Sequence, residues 1–369
     1  MRLTYNIIRY LVGGVFIFSG LIKVNDPVGT AIKLEEYFNV FSSDFGAFFE
    51  AFIPYALTLS VFMVVLEVVL GVALIVNYRP RIVIWVLLLM IVFFTFLTGY
   101  SAIENKVTDC GCFGDAIKLT PWQSFYKDII LTVLIGFMFI NRNKYLPYPK
   151  GRVADIAVGV FTAIMVFVAI NAVNHLPYID FRAYKKGVNI PTAMEPSAPL
   201  KYKYIMEDAN GKQVEFERYP TDGGYTYKDM VLVNPEAQPK ILDYRIWIDD
   251  EDVTEASFQG ARLFIIIYNV AKTDKEAMAE VNNLLASLGN NITPWVLTAS
   301  DKATFEAFRH DVQLAVPYYF VDATVLKTMM RANPGLVLVN NGTVLGKWHH
   351  NDVPNVATIN RLLRPVPGV

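Results

Sequence analysis

Residues 62–74 read FMVVLEVVLGVAL, a run of thirteen residues in which Glu67 is the only charged one. The run is apolar on all sides, which is typical of a membrane span and not of an amphipathic surface helix. It belongs to one of five nearly uncharged stretches, at about 6–22, 54–77, 82–100, 123–140 and 153–173. At 1.5 Å per residue such stretches approach the ~30 Å of a hydrocarbon core. The sequence therefore predicts a membrane α-helical bundle before residue 175.

The composition agrees with a membrane protein, since 54% of the residues are hydrophobic and 18% are charged. Buried helices of a large soluble domain are the alternative, but that interpretation needs five such helices in succession. Arg2 and Arg9 precede the first apolar run as in a signal peptide, yet no small-x-small cleavage site follows. Residues 1–22 are therefore predicted to form an uncleaved first helix, and the lipid bilayer is a predicted partner.

Basic residues are distributed unevenly over the connections between the five stretches. One side carries eight: Arg2, Arg9, Arg79, Arg81, Arg142, Lys144, Lys150 and Arg152. The other side carries four: Lys23, Lys33, Lys106 and Lys118. Because cytoplasmic connections are enriched in Lys and Arg, we expect a bacterial inner-membrane protein with a cytoplasmic N-terminus. The 101–122 connection and the chain after residue 175 are then periplasmic.

After residue 173 the pattern becomes that of a soluble α/β domain. A juxtamembrane linker is predicted at 176–200, a small β extension with a hairpin at Asn210-Gly211 at 201–239, and an α/β domain at 240–369. The α/β domain begins with a short hairpin that leads into the strand RLFIIIYNV. Helices at 273–288, 301–310 and 323–331 alternate with strands at 293–299 and 317–322. A hairpin turning at Asn341-Gly342 and a helix near 353–363 close the domain.

This order of strands and helices resembles the thioredoxin-like fold, and most closely its membrane-tethered and peroxiredoxin-like branch. Asn333 and Pro334 match the cis-proline position of that fold, and the resemblance implies that partners dock there. Ala271–Asp274 stand where thioredoxins carry CxxC, and they contain no cysteine. We therefore expect this domain to bind partners and not to exchange disulfides by itself.

The membrane half carries a second resemblance. The stretch RYLVGGVFIFSGLIKVNDPVG at 9–29, Glu67 in the second span and CGCFG at 110–114 together resemble the DoxX/MauE-type redox-associated membrane proteins. The resemblance implies a DoxX-like four-helix bundle at 1–140, followed by a fifth helix within 141–175. MauE-type members are associated with disulfide formation in periplasmic partners. The fusion to a thioredoxin-like domain without CxxC resembles a Bacteroidetes-type subfamily.

Cys110 and Cys112 are the only cysteines in the chain. A disulfide over this spacing needs a bend, which Gly111 permits. Such a small ring stabilises the fold poorly but is easily reduced, which disfavours a structural clamp. A metal site is disfavoured as well, because none of the four histidines is near in sequence and structural zinc takes four ligands. The pair is predicted to be the catalytic dithiol.

The sequence does not identify the molecule that accepts the electrons of the cysteine pair. DsbB-like and VKOR-like membrane oxidases relay electrons through two cysteine pairs to a quinone, whereas this chain has one pair. It would pass electrons directly to one acceptor, for which a quinone is the candidate cofactor, or depend on the cysteines of a partner. The sequence shows no quinone-binding motif.

Glu67 is the other unusual residue of the bundle, since a carboxylate at mid-span costs ~2.5–3.5 kcal/mol on insertion scales. One interpretation is a protonated Glu67 hydrogen-bonded to a Tyr, Ser or Thr of a neighbouring helix. The other is a proton-handling group or a binding site for a small polar ligand. His349 and His350 are interpreted as loop residues. Trp122, Tyr145 and Tyr148 fit an aromatic belt at the membrane surface.

Two classes of function follow from these features. In the first, the Cys110/Cys112 pair takes part in thiol–disulfide exchange with periplasmic or envelope proteins, which the thioredoxin-like domain docks. In the second, the protein is a non-enzymatic subunit or scaffold of an envelope or secretion complex. No nucleotide-binding loop, hydrolase triad or basic nucleic-acid patch occurs in the sequence, so nucleic acid is not a predicted partner.

Overall fold

The computed structural model describes residues 2–107, 111, 113–144, 151–221 and 223–364. Its contacts divide the chain into two compact units, Met1–Phe181 and Arg182–Val369. The first unit consists of helices and the second of sheets with flanking helices. The fold class predicted from the sequence, a helical membrane bundle followed by an α/β domain, is confirmed.

The first unit contains six α-helices within its described residues: α1 (Arg2–Asn25), α2 (Pro27–Phe45), α3 (Ala56–Ile75), α4 (Pro80–Glu104), α5 (Pro121–Ile140) and α6 (Arg152–His175). A 3-10 segment, Ala47–Tyr55, leads into α3, and a second one spans Arg142–Lys144. In the described part of the chain, five stretches are long and apolar enough to cross a membrane: Leu3–Asn25, Ala47–Ile75, Pro80–Glu104, Pro121–Ile140 and Arg152–His175. They coincide with the five predicted stretches.

Helix α2 was not predicted, because its sequence has no uncharged run. Asp26 caps its N-terminus by accepting a hydrogen bond from the backbone N–H of Gly29 at 2.9 Å, and Pro27 occupies the first turn. Leu34, Tyr37 and Phe41 are buried on one face of the helix. The link between the first two spans is thus a packed helix rather than a plain connection.

Helices α1 and α3 approach each other closely through glycine. A Cβ on Gly71 would lie 2.9 Å from the carbonyl oxygen of Gly13 and 3.0 Å from the backbone nitrogen of Ile17. A Cβ on Gly20 would lie 2.9 Å from the backbone nitrogen of Val68. Small residues allow membrane helices to pack at such short separation. These contacts fix which residues of the two antiparallel helices lie opposite each other.

The second unit begins with a three-stranded antiparallel sheet in the order β2-β1-β3, built from β1 (Tyr202–Asp208), β2 (Gln213–Phe216) and β3 (Tyr225–Leu232). The predicted hairpin at Asn210-Gly211 is confirmed, since Glu207 pairs with Gln213 and Gly211 has a φ of 78°. Gly accepts this left-handed conformation without steric cost.

The larger sheet has seven strands in the order β10-β9-β6-β7-β8-β4-β5. They are β4 (Trp247–Ile248), β5 (Glu251–Asp252), β6 (Ala261–Ile267), β7 (Ile292–Thr298), β8 (Tyr318–Phe320), β9 (Gly335–Asn340) and β10 (Thr343–His349). The three strands β6, β7 and β8 run parallel, and β9 lies antiparallel to both β6 and β10. This arrangement agrees with the predicted strand–helix order and closing hairpin.

Five α-helices lie among the described residues of this unit: α7 (Ile190–Met194), α8 (Met278–Ser287), α9 (Lys302–Asp311), α10 (Ala323–Met329) and α11 (Val356–Leu363). Short 3-10 segments span Pro235–Ala237, Glu255–Phe258, Val270–Lys272 and His350–Asp352. The helix predicted at 273–288 therefore begins five residues late, after the 3-10 segment at Val270–Lys272. The core between sheet and helices contains Ile265, Val296, Phe305 and Leu338.

The closing hairpin and the proline before it agree with the sequence prediction. Asn341 and Gly342 have φ values of 46° and 75°, and they form a two-residue turn between the paired residues Asn340 and Thr343. Positive φ at both turn positions is what a type I′ hairpin requires, and it favours Asn-Gly. The Asn333-Pro334 bond is cis.

The close packing of α1 on α3 gives a stability prediction. Gly71→Ala places a methyl group against the backbone of α1, and we expect it to lower the free energy of unfolding by about 1–3 kcal/mol. Gly14→Ala is the matched control, because a Cβ there meets no described atom within 4 Å. Thermal unfolding of the purified protein in detergent measures both changes. Equal stability of the two variants would contradict the close approach.

Candidate functional site

A cavity of about 70 Å³ lies inside the helical unit, between α1, α2, α3, α4 and α5. A single water needs roughly 10–15 Å³ by this measure, so the cavity has room for several waters or a small ligand group. Its wall is mainly apolar but includes five acidic or basic side chains: Lys23, Lys33, Glu67, Lys127 and Asp128. Because charged side chains are rare inside membrane bundles, this cavity is the candidate functional site.

Glu67 lies in this cavity and forms an ion pair with Lys23. The Lys23 Nζ donates to Glu67 Oε1 at 3.1 Å and to Oε2 at 2.8 Å, and the two side chains are 9% and 4% exposed. The hydroxyl partner considered from the sequence is wrong, because the partner is an ammonium group. An ionised carboxylate is tolerated in the bundle when its charge is paired in this way.

Lys23 was also misplaced by the sequence interpretation, which assigned it to a connection. It occupies the last turn of α1 and is 8% exposed, with its Nζ 4.9 Å from the centre of the Phe94 ring. The close approach of α1 and α3 at the glycines brings it opposite Glu67. The Phe94 ring attracts the Lys23 ammonium group through a cation–π interaction.

A second carboxylate, Asp128 on α5, is fully buried. Its Oδ1 accepts a hydrogen bond from Lys127 Nζ at 2.6 Å, and its Oδ2 accepts one from Thr98 Oγ1 at 3.0 Å. The sequence interpretation missed this residue because it treated 123–140 as nearly uncharged. The signal that identifies it is the Lys127-Asp128 dipeptide inside an apolar stretch.

Helix α2 supplies Lys33 and Tyr37, one helical turn apart and hence on the same face. The Lys33 Nζ lies 3.1 Å from Glu36 Oε2. The Tyr37 hydroxyl is hydrogen-bonded to Ser101 Oγ on α4 at 2.7 Å. The helix that the sequence did not predict therefore forms a polar wall of the cavity.

Cys110 and Cys112, the predicted catalytic pair, lie outside the described residues, but Gly111 between them is described. Gly111 has a φ of 62° and lines the cavity, and a Cβ on it would lie 3.4 Å from Lys33 Cγ. The residue that separates the two cysteines in the sequence therefore contacts the wall formed by α2.

Phe113, the next residue after the pair, also packs on the bundle. Its ring centre lies 5.7 Å from that of Phe18 on α1, and the Lys127 Nζ lies 5.3 Å from the ring centre. Gly111 and Phe113 thus connect the CGCFG element with three helices that surround the cavity.

One carboxylate of α2 has a different environment, outside the cavity. Asp44 accepts hydrogen bonds from the Lys106 ammonium, at 2.6 Å, and from the Tyr100 hydroxyl. These two donors, with Lys106 the stronger, lower the pKa of the Asp44 carboxyl. The exposed Lys106–Asp44 ion pair serves as a control for the buried ion pairs of the cavity when their effects on stability are compared.

In the α/β unit, Asn333 and Pro334 lie beside the segment that replaces CxxC. Asn333 Nδ2 donates to the carbonyl oxygen of Asn269 at 2.6 Å, and the Asp274 N–H donates to the carbonyl of Asn333 at 3.2 Å. His350 Nδ1 lies 3.0 Å from the Pro334 carbonyl oxygen, and its Nε2 lies 3.6 Å from Asp274 Oδ2.

His349 differs from the loop position expected for it. It is the last residue of β10 and only 6% exposed, and its Nδ1 accepts a hydrogen bond from the Asn351 N–H. His350 follows in a 3-10 turn. In the described part of the chain no group of three or more His, Cys, Asp or Glu residues could hold a metal ion.

Of the three aromatic residues assigned to a belt, Trp122 is described. It lies in the first turn of α5, half exposed, and packs on Phe125 and Tyr126. Tyr145 and Tyr148 lie outside the described residues.

Comparison with known proteins agrees with this architecture. Residues 1–141 match the family model described as methylamine utilisation protein MauE. Protein TlpB of Flavobacterium psychrophilum is 29% identical over 140 residues, which cover 37% of this chain and 36% of that protein. The alignment thus spans about a third of that relative's length.

The helical unit is similar to the MauE family over residues 1–141 and contains five helices long and apolar enough to cross a membrane. The α/β unit adds a thioredoxin-like domain, with parallel strands, a closing hairpin and a cis-proline. The resemblance inferred from RYLVGGVFIFSGLIKVNDPVG, Glu67 and CGCFG is confirmed at the level of the family.

The buried ion pair gives a second stability prediction. Lys23→Met and Glu67→Met each leave one unpaired charge in the bundle, and each is expected to cost about 3–5 kcal/mol of unfolding free energy. The double variant should be closer to wild type than either single variant, because it leaves no charge. Equilibrium unfolding in detergent measures the cycle.

Lys106→Met is the control for this cycle, since it removes an exposed partner of Asp44 and should cost much less unfolding free energy than either buried substitution. Additive losses in the Lys23→Met/Glu67→Met variant would show that the two side chains do not interact.

Proposed function

We propose that the protein is a bacterial inner-membrane component of thiol–disulfide exchange. In this proposal the Cys110–Cys112 disulfide accepts electrons from thiols of periplasmic or envelope proteins, and the thioredoxin-like domain docks these proteins. The observation that carries the proposal is the position of Gly111, because the residue between the two cysteines lines a cavity that contains paired ammonium and carboxylate groups. The match to the MauE family supports it.

The exchange step needs no cofactor, because its bonds, electrons and protons balance between the two proteins. A thiolate of the partner attacks one sulfur of the Cys110–Cys112 disulfide and forms a mixed disulfide, which the second partner thiol resolves. The partner gains a disulfide, and the two protons of its thiols end on Cys110 and Cys112. Ammonium groups favour thiolates. Lys127 Nζ lies 5.3 Å from the ring centre of Phe113, which follows Cys112 in the sequence, and the Lys33 stem lies beside Gly111.

Docking is assigned to the surface around Asn333 and Pro334. There the His350 imidazole lies 3.6 Å from the Asp274 carboxylate, and Ala271–Asp274 contain no cysteine. Because the domain has no cysteine, it can hold a client protein without exchanging disulfides with it. The chemistry is thereby left to the membrane unit.

The proposed orientation has the N-terminus in the cytoplasm and the thioredoxin-like domain in the periplasm. Lys23, Arg9, Arg81 and Arg152 all lie within the helices that form candidate spans. The connections outside these helices still carry more basic residues on the inner side, where there are five, than on the outer side, where there are three. This asymmetry supports the orientation. The outer position suits a disulfide, since the periplasm is oxidising.

A second candidate function is that of a non-enzymatic scaffold in an envelope or secretion complex. The observation that favours it is the absence of cysteine from Ala271–Asp274. A docking domain alone would suffice for this role, and the cysteine pair would then be incidental.

The two functions differ in what Cys112→Ser does. In the exchange function the free Cys110 retains the partner as a mixed disulfide, which appears as a reductant-sensitive adduct on non-reducing gels after thiol alkylation. The Cys110→Ser/Cys112→Ser variant is the control and should form no adduct. If the double variant supports the cellular role of the protein as well as wild type does, the exchange function is wrong and the scaffold function remains.

The orientation is tested by reporter fusions. Alkaline phosphatase, which folds only in an oxidising compartment, should be active when fused after residue 364. The same enzyme fused after Ile140, between α5 and α6, should be inactive. Activity with the reverse pattern would place the thioredoxin-like domain in the cytoplasm and exclude exchange with periplasmic partners.

A further inference from the structure

We propose that a groove on the outer surface of the helical unit, between α3 and α6, binds an anionic glycerophospholipid. One acyl chain lies in the groove, and the phosphate lies at Arg79 and Arg152. The site is separate from the cavity inside the bundle, and the inference does not depend on the exchange function. Three features carry it: the apolar lining of the groove, its course along the spans and the excess of positive charge at its end.

The groove has a volume of about 240 Å³ and is formed by residues of α3, of α6 and of the turn that follows α3. Apart from Tyr78, its lining residues are Val, Ala and Phe, among them Val72, Val76, Ala157 and Phe161. Val76 is 41% exposed, so the groove lies open at the surface of the unit. Because such a wall offers no hydrogen bonds, it disfavours a polar ligand and accepts a hydrocarbon chain.

Small side chains leave the groove unfilled. Val68 of α3 shares an apolar cluster with Ala169 of α6, so the two helices are in contact there. Toward the start of α6, Ala154 and Ala157 line the groove together with Ala73 of α3. Their methyl groups are too short to occupy the space between the helices. Since protein interiors are otherwise closely packed, an open groove of this kind between membrane spans is suited to a lipid chain.

The groove runs along the spans and not across them. Its lining residues on α3 and the following turn extend from Val69 beyond Val76, and those on α6 extend from Ala154 to Phe161. At 1.5 Å per residue, Val69 to Val76 and Ala154 to Phe161 each correspond to about 10 Å of helix. Both sets lie at the end of a candidate membrane span. A chain in the groove therefore begins at the membrane surface and points toward the middle of the bilayer, as an acyl chain of a phospholipid does.

The polar end of the groove is positively charged. Tyr78, which lines the groove, donates a hydrogen bond to Asp155 Oδ1 at 2.6 Å. Arg79 Nη2 donates to the same oxygen at 2.9 Å. Arg152 lies one helical turn before Asp155, Arg81 lies two positions after Arg79, and both arginines are exposed. In this set of side chains, three guanidinium groups stand against one carboxylate.

This excess of positive charge favours a phosphate group. A guanidinium has five N–H donors, so the hydrogen bond from Arg79 to Asp155 leaves donors for a second acceptor. Arginine binds phosphate oxygens through two parallel hydrogen bonds, and basic pockets between transmembrane helices bind anionic headgroups. A zwitterionic lipid would bring its own cation to the arginines. The lipid that this end of the groove favours therefore carries a net negative charge.

Binding is tested by native mass spectrometry of the full-length protein in detergent, where a bound lipid adds its mass. The two probes are dioleoylphosphatidylglycerol and dioleoylphosphatidylcholine, which share their acyl chains and differ in headgroup charge. We expect saturable binding of phosphatidylglycerol, at least about tenfold tighter than that of phosphatidylcholine. Equal affinities would indicate a boundary lipid without headgroup recognition and would overturn the inference.

The headgroup contact is tested by Arg79→Gln/Arg152→Gln, which should weaken phosphatidylglycerol binding at least about tenfold. Arg142→Gln is the matched control and should leave the affinity unchanged. It removes an arginine at the same end of the unit, but one whose guanidinium lies 4.1 Å from the centre of the Phe139 ring. If loss of the Arg79–Asp155 ion pair prevents folding, Arg152→Gln alone should still weaken binding about fivefold. Unchanged affinity in the arginine variants contradicts the proposed headgroup site.

The acyl-chain contact is tested by Ala157→Phe, which occupies the space of the chain and should weaken binding of both lipids at least about fivefold. Ala163→Phe is the matched control, because Ala163 is exposed on the same helix and does not line the groove. Binding that Ala157→Phe leaves intact rules out the groove as the site. The mixed disulfide expected for Cys112→Ser involves neither arginine nor groove, so the exchange function is judged separately.

Discussion

The ion pair between Lys23 and Glu67 is the constraint on which the membrane unit depends. A lysine and a glutamate cannot remain separately buried in a bundle without a large desolvation penalty. Their contact at 2.8 Å requires α1 and α3 to pack in one register. The glycines at positions 13, 20 and 71 provide that register, because they let the two backbones approach where side chains would collide.

The rest of the cavity is organised around this pair. Helix α2 does not match any of the apolar stretches that cross the membrane, yet its buried face covers one side of the cavity with Lys33 and Tyr37. Helix α5 covers another side and adds Asp128, whose carboxylate is held by Lys127 and Thr98. Lys23 with Glu67 and Lys127 with Asp128 thus form two neighbouring pairs of opposite charge in the cavity wall.

The two units divide the work of the proposed exchange. The thioredoxin-like domain retains the parallel strands, the closing hairpin and the cis-proline of its fold. Its Ala271–Asp274 segment contains no cysteine, and in the proposed function this domain binds the partner proteins. Cys110 and Cys112, the only cysteines of the sequence, flank Gly111, which lines the cavity of the membrane unit. In the proposed function, partner binding belongs to one unit and thiol chemistry to the other.

The sequence by itself determined the features that depend on local pattern. Hydropathy identified the five apolar stretches, because a span of the bilayer needs about 20 consecutive apolar residues whatever surrounds it. Turn chemistry identified the hairpins at Asn210-Gly211 and Asn341-Gly342, because left-handed backbone conformations select Asn and Gly. The order of strands and helices after residue 240 was sufficient for the thioredoxin-like fold.

Only the tertiary structure decided what the charged residues do. Lys23 and Glu67 are 44 positions apart in the sequence, and nothing local to either residue indicates the other as its partner. Helix α2 was not predicted from the sequence, because it is stabilised by the burial of one face and has no apolar run. Asp128 was not singled out, because one charge changes the mean hydropathy of a long apolar stretch very little. Ion pairing and burial are properties of packing between helices, and a pattern along one helix does not contain them.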